Sequence, residues 1–322
     1  GRGHNDGQSV RQTVDGNGDA DGYIIVGSDS DPESNDIDSD PESNDIVIEL
    51  TKTDLEGNVE WDNHFGSGTG QDRYGYFVRQ TVDGNGDADG YIIAGSARVS
   101  ASGGVTDAWV IKTDLSGIKV WDKLFGISMH DFVYSIKQTT DGGYIFAGNH
   151  GDGGVSSARL VKINSVGDMV WAKNYITDNV PVGMDRNTAN DVVQTTDGGY
   201  IVVGNKYDDV WGSNDAWFLK TDSYGNHLWS TTFGLRENDI AKSVQQTVDG
   251  NGAVDGYIIT GYTASGSTSG FLPEPALGDT SSAWLMKIYL DGAVAWTKYF
   301  NGPNSEYGSS VQQTTDGGYV FT

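Results

Sequence analysis

The stretch Gln194-Thr195-Thr196-Asp197-Gly198-Gly199-Tyr200-Ile201-Val202-Val203-Gly204, followed by Ala216-Trp217-Phe218-Leu219-Lys220-Thr221-Asp222-Ser223-Tyr224-Gly225 and closed by Leu228-Trp229, decides the fold. Asp197-Gly198-Gly199 is a turn between two short apolar runs, and the turn containing Gly225 joins a third run to a fourth. The run Tyr200 to Val203 is apolar on both faces of a pleat, so it must be covered on both sides. No window shows a convincing 3.6-residue period.

The same text recurs. Gln12-Thr13-Val14-Asp15 returns at Gln80, Gln138, Gln194, Gln246 and Gln313, six copies with spacings of 68, 58, 56, 52 and 67. A second block alternates with it, from Lys52 to Trp61, Lys112 to Trp121, Lys162 to Trp171, Lys220 to Trp229 and Lys287 to Trp296. Lengths vary only in the loops, so the unit is four short strands. Four-stranded units repeated in this way, each with a second strand buried on both faces, imply an all-β propeller of antiparallel blades. The expected layout is a single domain over 1–322, with blades near 8–66, 77–126, 134–176, 190–234 and 243–300 and part of a sixth at 310–322. Five units are full and the last stops after two strands, so the chain reads as a window on a longer one.

Composition narrows the function. There are 45 acidic and 20 basic side chains, a net charge of −25, 46 glycines, 6 prolines and no cysteine. Such a charge repels phosphate backbones and anionic lipid, which argues against nucleic acid and membrane-surface partners. Lack of cysteine excludes disulfides, thiolate zinc sites and cysteine nucleophiles. No run reaches the roughly 18 apolar residues of a membrane-spanning helix.

The second block resembles the tryptophan-docking motif of quinoprotein-type propellers, Asp-x-x-Gly-x-x-x-Trp, as in Asp54-Gly57-Trp61, Asp114-Gly117-Trp121 and Asp222-Gly225-Trp229. Asn164 and Tyr289 depart from it at the Asp position. The whole unit is also similar to the Asp-Gly-Gly-Tyr propeller repeats of secreted bacterial and archaeal proteins. That resemblance implies a propeller in which the Trp of one blade packs on its neighbour, and an extracellular or cell-surface location. It leaves the function open.

Three first hairpins carry a longer loop: Asp15-Gly16-Asn17-Gly18-Asp19-Ala20-Asp21-Gly22-Tyr23, its copy from Asp83 to Tyr91, and Asp249 to Tyr257. Oxygen side chains fall at alternate positions, and Ca²⁺ takes six to eight oxygens from carboxylates, amides, carbonyls and water. Asp15, Asn17, Asp19 and Asp21 are therefore expected to face one centre and hold Ca²⁺, as are Asp83, Asn85, Asp87 and Asp89. Asp249, Asn251 and Asp255 form a weaker third set, because Ala253 replaces one oxygen. The loop resembles the Asp-x-Asx-x-Asp loops of EF-hands, dockerins and calcium-binding propeller repeats, without the EF-hand's distal Glu. The alternative is a solvated hairpin.

No catalytic constellation is apparent. His4, His64, His130, His150 and His227 fall in unrelated places and read as surface residues; no nucleophile elbow, metalloprotease motif or phosphate loop occurs. In a propeller the 1–2 and 3–4 turns share one face, while the variable 2–3 loops and 4–1 connectors share the other. On that second face Tyr207, Trp211 and Phe271 are candidates for a protein or carbohydrate ligand surface. Asp6, Asp72, Asp131, Asp239 and Glu306, at the starts of first strands, either line a channel mouth or cap turns. The expected function is a calcium-stabilised, non-enzymatic scaffold or binding module. A carbohydrate-binding or carbohydrate-cleaving propeller and a quinoprotein-like enzyme are the alternatives.

Overall fold

The computed structural model describes residues 6–29, 46–66, 72–99, 104–126, 129–152, 155–175, 187–208, 212–234, 238–264 and 281–322. These residues form strands and turns, with no helix. The first sheet is β1 (Asp6–Val14), β2 (Ala20–Asp29), β3 (Val47–Thr53) and β4 (Val59–Phe65), and the second β5 (Arg73–Val82), β6 (Ala88–Arg98), β7 (Thr106–Thr113) and β8 (Lys119–Phe125). The third is β9 (His130–Gln138), β10 (Tyr144–Asp152), β11 (Val155–Ile163) and β12 (Met169–Tyr175). The fourth is β13 (Thr188–Gln194), β14 (Tyr200–Asp208), β15 (Ser213–Thr221) and β16 (His227–Phe233). The fifth is β17 (Asp239–Val248), β18 (Val254–Thr263), β19 (Ser282–Ile288) and β20 (Val294–Phe300), and a final pair is β21 (Val311–Gln313) and β22 (Tyr319–Phe321). Every four-stranded sheet is a meander in chain order.

First strands begin earlier than the sequence pattern suggests, at Arg73 and Asp239 for example. A β-bulge is the reason. It falls between Gly75 and Phe77, Ala189 and Asp191, and Ala241 and Ser243, and it breaks the two-residue alternation counted back from the glutamine.

The described residues divide into two compact units, one of Gly1–Phe146, His150–Asp152 and Lys162–Val170, the other of Ala147–Asn149, Gly153–Val161 and Trp171–Thr322. In the first, Ile24 and Val26 of β2 pack with Ile48 and Leu50 of β3, Val78 of β5, Ile93 of β6 and Trp109 of β7, with Trp61 against them. In the second, Ile201 and Val203 of β14 pack with Phe218, Val244, Ile259, Trp284 and Met286. Second strands are covered on both faces as expected: Tyr91, Ile92, Ile93 and Ala94 are all buried, as are Tyr200 to Val203. These interiors are built from β-branched and aromatic residues, which suit a pleated, two-sided strand.

Candidate functional site

The turn end of each sheet is built from repeated contacts. Asp15 to Asp19 closes a tight turn in which Asp15 N donates to Asp19 O at 2.8 Å and Gly18 N to Asp15 O at 3.0 Å. The Asp15 carboxylate accepts from Asn17 N at 2.8 Å and Asp19 N at 3.0 Å. Those amides hold its pKa below the usual carboxylate value. The Asp83 carboxylate likewise accepts from Asn85 N and Asp87 N, and the Asp249 carboxylate from Asn251 N and Ala253 N. The 3–4 turns share this design: Asp54 N donates to Asn58 O at 2.9 Å, Gly57 N to Asp54 O at 3.2 Å, and Asn58 N to the Asp54 carboxylate at 2.8 Å. The long hairpin loop is thus a second Asp-x-x-Gly turn, set on an extended β-ladder.

The expectation that four oxygen side chains share one centre needs correction at its last member. Asp21 accepts from the Thr13 hydroxyl, and its carboxylate faces Lys52 Nζ at 3.7 Å. Asp89 accepts from Thr81 and pairs with Lys112 at 3.3 Å, while Asp255 accepts from Thr247 and pairs with Lys287 at 2.8 Å. The short hairpins supply the same group from Asp141 to Lys162 at 3.0 Å and from Asp197 to Lys220 at 2.9 Å. Each lysine is buried; Lys52, Lys112, Lys162 and Lys220 also donate to a strand-three carbonyl, as Lys112 does to Thr113 O at 2.8 Å, and Lys287 donates to the Thr247 hydroxyl at 2.6 Å. A buried ammonium needs a counter-charge and oxygen acceptors, so the last Asp of the loop is engaged by lysine. Among the described residues no group of three or more His, Cys, Asp or Glu side chains could hold a metal. What remains for a cation at the first two tips is Asp15, Asn17 and Asp19, and Asp83, Asn85 and Asp87. The third tip keeps only Asp249 and Asn251.

Successive sheets are tied at this same end. Gln80 accepts from Val14 N at 2.9 Å and donates to Val14 O at 2.7 Å. Gln138 does the same to Val82, and Gln313 to Val248. Each Trp of the second block lies on the next sheet: Trp61 is 5.9 Å from Tyr91, Trp121 6.1 Å from Tyr144 and Trp171 5.8 Å from Tyr200. The indole of Trp171 also covers Gly225, where a Cβ would meet it at 2.8 Å.

The other end of the sheets differs from copy to copy. Contrary to the surface reading, His150 Nδ1 bonds the buried Asp131 at 3.1 Å, His130 Nδ1 accepts from Thr106 N at 3.0 Å, and His64 Nε2 lies 3.5 Å from Asp29. They sit at strand ends where the pleat turns them inward. His227 is bonded to Ser230 at 3.1 Å, and His4 lies outside the described residues. Among the first-strand acids, Asp239 accepts from Thr263 at 2.5 Å, Asp72 pairs with Arg98 at 3.1 Å and Glu306 accepts from Gly302 N at 2.9 Å. Tyr207 pairs with Asn214 across β14 and β15 and is half-buried; Trp211 and Phe271 lie outside the described residues.

Asp215 and Asp239 meet beside Gly234, each with an oxygen near the position a Cβ there would take, at 2.6 and 2.7 Å. Burial, with Asp208 adding repulsion, pushes the Asp215 carboxyl up to about 6. Asp197, chiefly through its bonds to Thr195 and Lys220 against an opposing burial effect, is lowered to about 2. These shifts act on stability in opposite directions. The Asp197 contribution is present above its unfolded value near 3.8 and is lost as pH falls towards 2. The Asp215 penalty is absent well below 3.8, grows as pH rises from there to about 6 and is constant above that. Asp215→Asn is therefore expected to raise the urea midpoint at neutral pH and to leave it unchanged near pH 3. Equal effects at the two pH values would exclude this assignment.

No family model and no curated protein matches the chain. Among solved structures it is similar to Sqt1 from Chaetomium thermophilum, at 12% identity and a TM-score of 0.43 over 97% of this chain and 78% of that one. It is also similar to MPT-4, a mannose phosphorylase from Leishmania mexicana, at 10% identity and a TM-score of 0.38 over 94% and 87%. Likeness at this level carries no argument about function.

Proposed function

We propose that this chain is a run of β-propeller blades serving as a non-enzymatic binding scaffold in an extracellular setting. The observation that supports it is the recurrence of inter-sheet ties at one end of the sheets, Gln80 on Val14 and Trp61 on Tyr91 being repeated down the chain. Such ties stack sheets face to face and leave the opposite loops free to vary, the usual division between a rigid support and its recognition surface. The connections from Asp29 to Val47, Asp208 to Ser213 and Thr263 to Ser282 share neither length nor sequence. They are the proposed seat of a protein or carbohydrate ligand. Class averages from negative-stain electron microscopy test the architecture: ring-shaped particles are expected, and elongated strings of sheets would overturn it.

Ca²⁺ enters this proposal at two hairpin tips, through Asp15, Asn17 and Asp19 and through Asp83, Asn85 and Asp87, with backbone carbonyls and water completing the shell. Because each turn is already closed by its own amides, the sites would be weak, suited to millimolar calcium. Calcium titration is expected to give two equivalents per chain, with a chelator lowering the thermal midpoint by mass action. Asp15→Ala combined with Asp83→Ala should abolish that shift. A midpoint indifferent to chelator removes calcium from the proposal and leaves the scaffold standing.

A further inference from the structure

In every four-stranded sheet the second strand lies between the first and the third. Among the described residues β22 has one neighbour, β21. Ser310 and Thr322 exchange backbone bonds, Thr322 N donating to Ser310 O at 3.0 Å and Ser310 N to Thr322 O at 3.3 Å. Alternation along an antiparallel ladder then turns the N–H and C=O groups of Tyr319 and Phe321 towards the other edge. Such an edge is a template for another strand.

The residues beside this edge are the ones that hold a third strand in the other sheets. Asp316 accepts from the Thr314 hydroxyl at 2.5 Å and from Gly318 N at 3.1 Å, as Asp197 does from Thr195 and Gly199 N. Asp197 also meets Lys220 of β15 at 2.9 Å, and Asp141 meets Lys162 of β11 at 3.0 Å, whereas no cation among the described residues pairs with Asp316. The glycine before the tyrosine tells the same story. A Cβ on Gly199 would meet Thr221 O at 2.2 Å and Lys220 Nζ at 2.7 Å, and one on Gly143 would meet Ile163 O at 2.3 Å and Lys162 Nζ at 2.5 Å. On Gly318 its nearest atoms would be those of Thr314 and Asp316 in its own turn, at 3.0 Å and beyond. Gly318 thus leaves room for a carbonyl and an ammonium that the described residues do not supply. Tyr319 is half-buried where Tyr200 and Tyr257 are 1% exposed. The apolar side is already in place, with Tyr319 on Trp296 at 5.9 Å and Phe321 on Phe300 at 4.6 Å.

We propose that the outer edge of β22 is a docking site for a β-hairpin of another polypeptide whose leading strand follows the third-strand pattern, apolar residues ending in Lys and Thr. The register of β14 with β15 places Tyr200 opposite Thr221, Ile201 opposite Lys220 and Val202 opposite Leu219. By the same register the added strand runs antiparallel to β22 with its lysine opposite Val320 and its ammonium on Asp316. Main-chain bonds to Tyr319 and Phe321 supply affinity, and the lysine–aspartate pair fixes the register. This inference uses the meander and its register alone and does not depend on a ligand at the variable loops.

The probe is a synthetic peptide of residues 213–233, the β15–β16 hairpin of this chain, labelled at its N-terminus and titrated with the full chain by fluorescence anisotropy. Saturable binding of one peptide per chain is expected, with slowed hydrogen exchange confined to residues 316–322. Asp316→Asn in the chain and Lys220→Gln in the peptide should each weaken binding roughly tenfold, the loss typical of a charged hydrogen bond, and the two together little more than either alone. Asp316→Lys paired with a Lys220→Asp peptide should recover part of the affinity, which adhesion of an apolar peptide would not. Asp316 is exposed, so its variants are expected to fold, with far-UV circular dichroism as the check. Absence of saturable binding, or binding equally strong to Asp316→Asn, overturns the proposal. A chain that sediments as a dimer and takes up no peptide overturns it too, and makes a second copy the occupant of the edge.

Discussion

Gly90→Ala is expected to lower stability by about 3–4 kcal/mol, among the largest effects of any single methyl added to this chain. Gly90 has φ of +136°, a conformation that costs an L-residue on the order of 1–3 kcal/mol. The added Cβ would also overlap the carbonyl oxygen of Thr113, with Lys112 Nζ at 2.7 Å and the Asp114 Cα at 2.9 Å. None of these can retreat cheaply. Thr113 is paired with Tyr91 in the ladder between β6 and β7, and Tyr91 is buried beneath Trp61. Gly86 supplies the control four residues away. Its φ of +90° is also left-handed, but nothing lies within 4 Å of its would-be Cβ, so Gly86→Ala should cost only about 1 kcal/mol from backbone strain. Urea midpoints of the two variants measure the difference. If they coincide, contact with the strand-three carbonyl is not what fixes glycine before the repeated tyrosine.

Much of this was legible in the sequence because the repeat samples each position several times. The Asp-Gly turn, the doubly apolar second strand and the Trp block each predict one strand of a meander, and the four-stranded sheets follow. Loop chemistry was harder to read. Counting from the first aspartate makes Asp15 the counterpart of Asp141, whereas the contacts make Asp21 its counterpart, since both take a Thr hydroxyl and a buried lysine. The five inserted residues are a complete turn placed before the functional aspartate. A signal was available in Lys52, Lys112, Lys162, Lys220 and Lys287: a charge recurring inside an apolar strand demands a partner. The contact of His150 with Asp131 joins the end of β10 to the start of β9, and spacing along one strand does not report such a cross-strand pair.

Removing one charge of the Lys112–Asp89 pair is expected to have unequal consequences depending on which partner is lost. Lys112 is buried at 6% exposure while the Asp89 side chain is 36% exposed. Burial lowers the lysine pKa, with Asp89 acting against it. In Asp89→Asn the ammonium keeps the carbonyls of Asp89 and Thr113, at 3.2 and 2.8 Å, but loses its counter-charge in a place water does not reach freely. That should cost about 2–3 kcal/mol, less than the roughly 3–5 kcal/mol of a fully buried broken pair because the aspartate side is partly solvated. In Lys112→Met the stem is retained, the exposed carboxylate turns to water, and the expected cost is about 1 kcal/mol. The double variant should resemble Lys112→Met alone, since no buried charge remains to be compensated. A double-mutant cycle on urea midpoints would then return a coupling of about 2 kcal/mol. Additive costs would mean that Lys112 is held by the carbonyls of Asp89 and Thr113 and not by the Asp89 carboxylate.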